Sequence, residues 1–424
     1  MSSDSHSIVP KPEISLEQFS KLRKLVFFTY GKSRFYTELW DSRGFHPSCL
    51  NEPRDINLIP IVSRTQLRDY STKFSEGIYT RKRLSKLHNQ TTSGSSGIPL
   101  RIFWTKKEWI MRMKYILDAY RKQGVSFFSN THNLSDPVDI KKPLFFQRMG
   151  ILKNTYYDIY DDFQDISSRL SALKSIQVLK GMPSDLFSLA YYVKKNSLPF
   201  PEIGMIQSGG EVLDAATRTF VESSFNSKIF DSYSSVETGI LAFQTLESRG
   251  QLIPSRKNSI LECRRVLEMP EGDFETVVTN LNNFSTPIIR YSSGDVVKVS
   301  NFPGNEVFAP KIIDSIYGKY LDFLVHPNGG LISAHVVKQN LTHLSGIDRF
   351  QVEQISRESV IVRIQPSKSF SIEIKNDISE LMKRDLGPEV LVDIIVEQDL
   401  VTKTDYRKFK VVSSIPAQEI LDSK

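Results

Sequence analysis

The apolar pattern of this chain changes character after about Gly318, and no other feature constrains the fold more. Beyond that point Phe350 to Gln354 and Val360 to Gln365 read as strands, joined by the polar turn Ser356 to Ser359. A helix follows with Ile374, Ile378, Leu381 and Met382 on one face and a stop at Gly387-Pro388. Leu391 to Val396 then returns as a strand. This order predicts a small α+β domain of about a hundred residues.

The longer stretch before it reads differently. Ser15 and Gln18 form a capping-box pattern, and Leu16, Phe19, Leu22 and Val26 repeat at helical spacing, which predicts a helix over Ser15 to Tyr30. The Pro-bounded segment Leu58-Ile59-Pro60-Ile61-Val62 leads to Ser63 and a further helical stretch. Leu170, Leu173, Ile176 and Leu179 predict an amphipathic helix closed by Gly181 and Pro183. From about Ile203 to Val299 short apolar runs alternate with glycine and polar turns, and Val277-Val278 and Ile288-Ile289 are strand candidates. The expected architecture is α/β. Residues 1–14 are expected to form a disordered tail, 15–317 a large N-terminal domain and 318–424 a smaller, mobile α+β C-terminal domain. There are no internal repeats and no low-complexity tract.

Composition enters as a set of exclusions. Hydrophobic residues make up 40% and charged residues 24%, the balance of a soluble globular protein. No run approaches the roughly 20 apolar residues that cross a bilayer. Met1 to Pro12 is polar and lacks the apolar core of a secretory signal. The two cysteines, Cys49 and Cys263, are far apart, which argues against a disulfide framework or a cysteine zinc site and fits a reducing cytoplasm. The net charge is +7, with clusters at Arg81-Lys82-Arg83 and Lys106-Lys107. Such clusters attract nucleotides or coenzyme A, or simply form a solvated surface. No nucleic-acid module is recognisable, so neither nucleic acid nor membrane is an expected partner.

Three segments could carry chemistry. Thr91-Thr92-Ser93-Gly94-Ser95-Ser96-Gly97-Ile98-Pro99 sets hydroxyls and glycine amides in a tight run that can wrap phosphate oxygens. It lacks the Gly-Lys-Ser/Thr ending of a Walker loop, and alone it also fits a flexible turn. Ser208-Gly209-Gly210-Glu211 is followed by Asp231-Ser232-Tyr233-Ser234-Ser235-Val236-Glu237-Thr238-Gly239. A tyrosine ring offers a face to a purine, and a carboxylate can hold magnesium beside phosphates. A strand-end turn with an exposed Glu also fits these residues. In Arg290-Tyr291-Ser292-Ser293-Gly294-Asp295 an Asp after a sharp glycine turn can accept from both ribose hydroxyls, while Arg290 can face phosphate. A surface Arg–Asp turn is the other reading.

In this order the segments resemble the adenylate-forming superfamily, in particular the phenylacetate–CoA ligase family and its capsular-polysaccharide-biosynthesis type members. The likeness runs from about residue 18 to 410. It takes in Phe35-Tyr36-Thr37-Glu38-Leu39, Leu58-Ile59-Pro60, Gly181-Met182-Pro183-Ser184, and Thr279-Asn280-Leu281 before the Pro287 to Asp295 stretch. Gly318-Lys319-Tyr320-Leu321-Asp322 looks like the inter-domain segment and Tyr406-Arg407-Lys408-Phe409-Lys410 like the terminal lysine motif. The resemblance implies ATP-dependent activation of a small carboxylic acid through an acyl-adenylate, then transfer to the thiol of coenzyme A. It implies that Thr92, Ser93, Gly94, Ser95, Ser96 and Gly97 close over the β- and γ-phosphates. Gly209, Gly210 and Glu211 would frame the adenine side and Tyr233 would stack near it. Ser208, Asp231, Ser234 and Arg290 belong to the same implied nucleotide-binding set. Glu237 would bind Mg2+, Asp295 would take the ribose, and Lys408 would sit between the carboxylate and the α-phosphate, with Lys410 as the competing match. A rotation of the small domain about a hinge near Lys319 to Asp322 would open the path for the thiol.

This chain departs from the family pattern in places. Leu100 follows Pro99 where a basic residue is usual, with Arg101 one place later. Lys319 replaces the inter-domain Arg and loses a bidentate fork, and Leu321 stands where an acidic residue is common. Asn301 to Lys311 contains no Cys, so no structural zinc is expected. The same chemistry could instead load a carrier-protein phosphopantetheine, or pass the acyl group to an amine or hydroxyl. An acyl carrier protein and a second copy of the chain are the further partners the resemblance allows. A non-catalytic nucleotide sensor is a different class, and retention of Glu237, Asp295 and Lys408 argues against it.

Overall fold

The computed structural model describes residues 14–63, 66–67, 84–91, 100–135, 145–159, 161–248, 250–266, 271–302, 307–319, 323–328, 331–333, 337, 341, 344, 346–367, 369–397 and 409–413. The chain divides into two compact units. The first takes residues up to 265 together with 274–293 and 297–316; the second takes 266–273, 294–296 and the chain from 317 onward.

In the first unit, helix α1 (Leu16–Tyr30) begins at the expected capping box. Gln18 N donates to Ser15 Oγ at 3.1 Å, and Gln18 Oε1 accepts from Ser15 N at 3.1 Å. Helix α2 (Arg34–Ser42) buries Phe35, Tyr36 and Trp40 against Leu22, Leu25 and Val26 of α1. Strands β1 (His88–Thr91) and β2 (Arg101–Trp104) pair antiparallel and lead into α3 (Lys106–Lys122), which starts at a second capping box, Thr105 and Glu108.

The unit's central sheet has seven strands: β3 (Asn130–Ser135), β4 (Lys153–Asp158), β5 (Ser175–Gly181), β6 (Glu202–Gly209), β7 (Ile229–Ser235), β8 (Gly239–Phe243) and β9 (Ile253–Pro254). Their order is β4-β3-β5-β6-β7-β8-β9, parallel through β7 and antiparallel beyond it. Helices α4 (Phe163–Ser171), α5 (Pro183–Lys195) and α6 (Ala215–Phe225) connect the parallel strands. Leu170, Leu186, Leu189, Val193 and Val221 from these helices pack with Leu134, Leu179, Ile206 and Ile229 of one sheet face. The second sheet runs β13-β10-β11-β12-β14, built from β10 (Ser259–Arg264), β11 (Asp273–Asn280), β12 (Tyr291–Lys298), β13 (Val307–Phe308) and β14 (Ser315–Lys319).

Two expectations for this unit need correction. The helix expected through Leu179 ends at Ser171, and Ile176 and Leu179 lie on strand β5. The three-residue spacing of Leu170, Leu173 and Ile176 suits a helix. A parallel strand buried on both faces, however, also shows Ile176, Val178 and Leu179 as a near-continuous apolar run. Ile288-Ile289, read as a strand, is instead an extended link beside β11, with Asn280 N donating to Ile288 O at 2.9 Å.

In the second unit, hairpin β15 (Phe323–Val325) and β16 (Leu331–Ser333) precedes a four-stranded sheet of β17 (Ile347–Ser356), β18 (Ser359–Pro366), β19 (Leu391–Val396) and β20 (Phe409–Ser413). Its order is β19-β18-β17-β20. Helix α7 (Ile374–Leu386) lays Ile378, Met382 and Leu386 on Phe350, Val352, Val360 and Val362. The strand–turn–strand–helix–strand order expected from the sequence is present.

Candidate active site

Strands β5, β6 and β7 end at the Gly181–Ser184, Ser208–Glu211 and Glu237 turns, each within a segment quoted above, and ligands of open parallel sheets bind beyond such carboxyl ends. Gly210 turns at φ +90°, a backbone conformation that glycine adopts without penalty. The chain then places Glu211 so that its Oε2 accepts from Ser184 N, at 3.2 Å, in the first turn of α5. A carboxylate there complements the positive end of the helix. The Ser208–Glu211 turn is thereby fastened to the Gly181–Ser184 turn beside it.

Asp231 fastens the other side. Its Oδ1 accepts from Ser208 Oγ at 2.6 Å and from Ser232 N at 2.9 Å, joining the ends of β6 and β7. Burial pushes this carboxyl above the usual range, and those two bonds draw it partly back. Tyr233, two residues on, is buried, with its hydroxyl 3.0 Å from Thr276 Oγ1; Thr276 in turn lies 2.6 Å from Ser293 Oγ. Ser234 is exposed.

Glu237 lies half-buried in the tight turn between β7 and β8. Arg112 of α3 reaches the same turn, with Nη2 donating to Ser235 O at 3.4 Å and its guanidinium 5.0 Å from the Trp104 ring centre. Burial pushes Arg112 down to about 10, and the Glu237 charge opposes that shift. The guanidinium therefore stays charged at neutral pH. Its Nη1 is buried with no hydrogen-bond partner among the described residues. Gly239 makes the approach possible, since a Cβ there would lie 2.8 Å from Nη1. Sequence reading missed Arg112. The available signal was its helical register, for Arg112 shares a face with the buried Tyr115 and Ala119, an unusual place for a cation.

Arg290 does something other than expected. Its φ is +44°, uncommon for a residue with a side chain. Nε and Nη2 donate to the two carboxylate oxygens of Glu262 at 3.1 and 2.9 Å, and Nη1 donates to Asn57 O at 3.2 Å and Ile59 O at 2.6 Å. Arg290 is 3% exposed and Glu262 2%. Four of the five guanidinium N–H groups are engaged inside the body, so this side chain clamps the fold and does not face a phosphate.

Asp295 is half-buried on β12, within the 294–296 piece of the second unit. The expected phosphate loop, Thr92 to Gly97, lies outside the described residues; it joins β1 to β2, whose pairing closes at Thr91 and Arg101. Lys408 and the hinge residues Tyr320 to Asp322 also lie outside them. Lys410 is on β20, in register with Gln351 of β17. Among the described residues no group of three His, Cys, Asp or Glu could hold a metal, and no helix is long and apolar enough to cross a membrane. A lone carboxylate such as Glu237 still suits Mg2+, which takes one or two carboxylates beside substrate phosphates.

No family model matches the chain. In sequence it is 26% identical to Protein CapK of Staphylococcus aureus over 321 residues, 72% of this chain and 68% of that protein. It is 22% identical over 407 residues to a phenylacetate-coenzyme A ligase of Thermus thermophilus, covering 92% and 87% of the two chains. In fold it matches the crystal structure of 2-hydroxyisobutyryl-CoA ligase in its postadenylation state with 2-HIB-AMP. The TM-score is 0.70 at 18% identity, over 98% of this chain and 94% of the other.

Proposed function

We propose that this chain, a homologue of phenylacetate-coenzyme A ligase and of CapK with the fold of the adenylate-forming CoA ligases, activates a carboxylic acid with ATP and passes the acyl group to coenzyme A. A carboxylate oxygen attacks the α-phosphorus, pyrophosphate leaves, and an acyl-adenylate forms. A thiol then attacks the acyl carbon, and AMP leaves. The observation that carries this reading is the fastening of three turns at adjacent strand ends. Glu211 binds the Ser208–Glu211 turn to Ser184, and Asp231 binds it to β7, which ends in the Glu237 turn.

The first step brings two anions together. In this reading Arg112, charged and short of a hydrogen-bond partner at Nη1, meets phosphate oxygens beside Glu237. Glu237 would hold Mg2+, which supplies charge neutralisation at the phosphoryl oxygens when bound. Lys408 would supply the second cation, Asp295 the ribose contact, and Thr92 to Gly97 the cover over the outer phosphates. The smaller domain, from about residue 318, would turn between the two half-reactions.

Acid-dependent exchange of labelled pyrophosphate into ATP tests the first step. Exchange is expected with at least one carboxylic acid, together with CoA-dependent thioester formation. ATP binding without exchange by any acid would overturn the ligase reading in favour of a nucleotide sensor. Exchange followed by transfer to a phosphopantetheine carrier protein but not to CoA would correct the acceptor alone.

A further inference from the structure

A parallel sheet covered by helices is normally apolar on both faces. The face under α4, α5 and α6 is largely apolar, with His132 as a buried exception in its middle. The opposite face, under the end of α3, is apolar at Val178 and Met205 but turns polar one level nearer the strand ends. One level across four adjacent strands reads Tyr156 on β4, Asn133 on β3, Lys180 on β5 and Gln207 on β6, each in register with the next. Two residues nearer the strand ends, Gly209 of β6 pairs with Ser232 of β7, so this polar row lies directly below the turns described above.

Two members of the row have unmet capacity. Lys180 donates to the Tyr120 hydroxyl of α3, and attraction to Tyr120 outweighs burial, which keeps the ammonium charged. No carboxylate contributes to its charge state. An ammonium carries three donors, and only this one is engaged among the described residues. Gln207 is 2% exposed; its Nε2 donates to Gln123 Oε1 at 2.6 Å, and Gln123 Nε2 donates on to Ser232 Oγ at 3.2 Å. The Gln207 Oε1 atom is left buried with no partner among the described residues. Such an orphan costs about 1–3 kcal/mol, so the arrangement makes sense if something fills it.

We infer that Lys180 and Gln207 receive a hydroxyl group on the acid that is activated, and that the substrate is therefore a hydroxy acid. A hydroxyl can accept from the Lys180 ammonium and donate to Gln207 Oε1 at once. A second carboxylate can only accept and would face Gln207 Oε1 oxygen to oxygen. The row lies two residues below the Gly209 level, so the hydroxyl sits roughly 7 Å from the reacting carboxylate. This inference rests on the ligase reading, which places that carboxylate at the strand ends.

Matched acids test it on the full-length protein. Pyrophosphate exchange is measured with 4-hydroxyphenylacetate against phenylacetate, and with 6-hydroxyhexanoate against hexanoate and adipate. Sites built to bind a hydroxyl reject the analogue without one strongly, so at least one hydroxy acid should exceed its hydrocarbon partner by about a hundredfold or more in kcat/KM. Lys180→Met should erase that preference while leaving KM for ATP in place, and Tyr120→Phe should weaken it. Equal use of both partners by the wild type, a preference for adipate, or a preference unchanged in Lys180→Met would overturn the inference and leave the ligase reading standing. Calorimetric binding of the same acids separates the two claims. Hydroxyl-dependent binding that Lys180→Met abolishes, with no exchange, would support this site and refute the ligase.

Discussion

Replacing Arg290 with Met should unfold the first unit more easily without a selective effect on ATP. The side chain makes four hydrogen bonds, two of them to Glu262, and both charges are almost fully buried. Breaking such a pair by removing one partner costs about 3–5 kcal/mol, chiefly because the other charge is stranded. The Ile59 carbonyl loses its donor in the same change. All three tryptophans, Trp40, Trp104 and Trp109, belong to the first unit, so tryptophan fluorescence in urea follows this loss. The double variant Arg290→Met/Glu262→Met should be more stable than Arg290→Met alone, since it removes the stranded charge as well.

The pH dependence has a definite sign. Burial raises the Glu262 carboxyl above its ordinary value, and Arg290 pulls it back down. Without Arg290 it rises further. A group whose folded pKa lies above its unfolded value binds more protons when folded. Stability of the variant therefore falls as pH rises from the unfolded value through the raised one, by up to about 1.4 kcal/mol per pH unit. The deficit of Arg290→Met should be smaller near pH 5 than near pH 8. A variant within about 1 kcal/mol of wild type, the figure expected of an ordinary single hydrogen bond, would refute the clamp. If its KM for ATP had risen instead, the phosphate-facing role would be restored.

Lys408→Ala should lower pyrophosphate exchange by about 10²–10³-fold with ATP binding retained, the usual loss for one preorganised electrostatic contact. Lys410→Ala should stay within a few-fold of wild type, as expected of a residue that meets no reacting atom; the reverse order would move the catalytic role to Lys410. Glu237→Gln should raise the Mg2+ concentration for half-maximal exchange by about ten- to hundredfold, a loss that even outer-shell partners produce. Unchanged magnesium dependence would remove Glu237 from the metal site.

The parts of the fold legible in the sequence were those with one strong period and a cap. The helix after Ser15 and the helix ending at Gly387 carried both, and each lies where its spacing put it. Ile176 and Leu179 misled because a strand buried on both faces has no alternation to separate it from a helix. The glycine turns at Ser208–Glu211 and the Glu237 turn were legible because φ > 0 and short polar side chains mark turns locally. Arg112, Lys180 and Gln207 were not, since each sits in regular structure and gains its meaning from strands and a helix distant in sequence.

The inward-facing cations divide by what faces them. Arg290 looked the most functional because it stands inside a motif, yet Glu262 and two carbonyls use four of its five donors. The surrounding segments share its structural work. Tyr36 takes the Ile289 amide at 3.0 Å and gives to Pro287 O at 3.2 Å, while Val62 pairs with the backbone at Arg290 and Ser292. Phe35–Leu39, Leu58–Pro60 and Arg290 thus form one clasp that holds the N-terminal helices on the second sheet. Arg112 and Lys180 lie in no motif, but neither forms an ion pair among the described residues. A charge buried beside its counter-ion is already satisfied by the protein, whereas a half-buried charge beside a carbonyl or a phenol remains open to a substrate. By that criterion the reacting groups of the substrates belong near Arg112, and the remote end of the acid near Lys180.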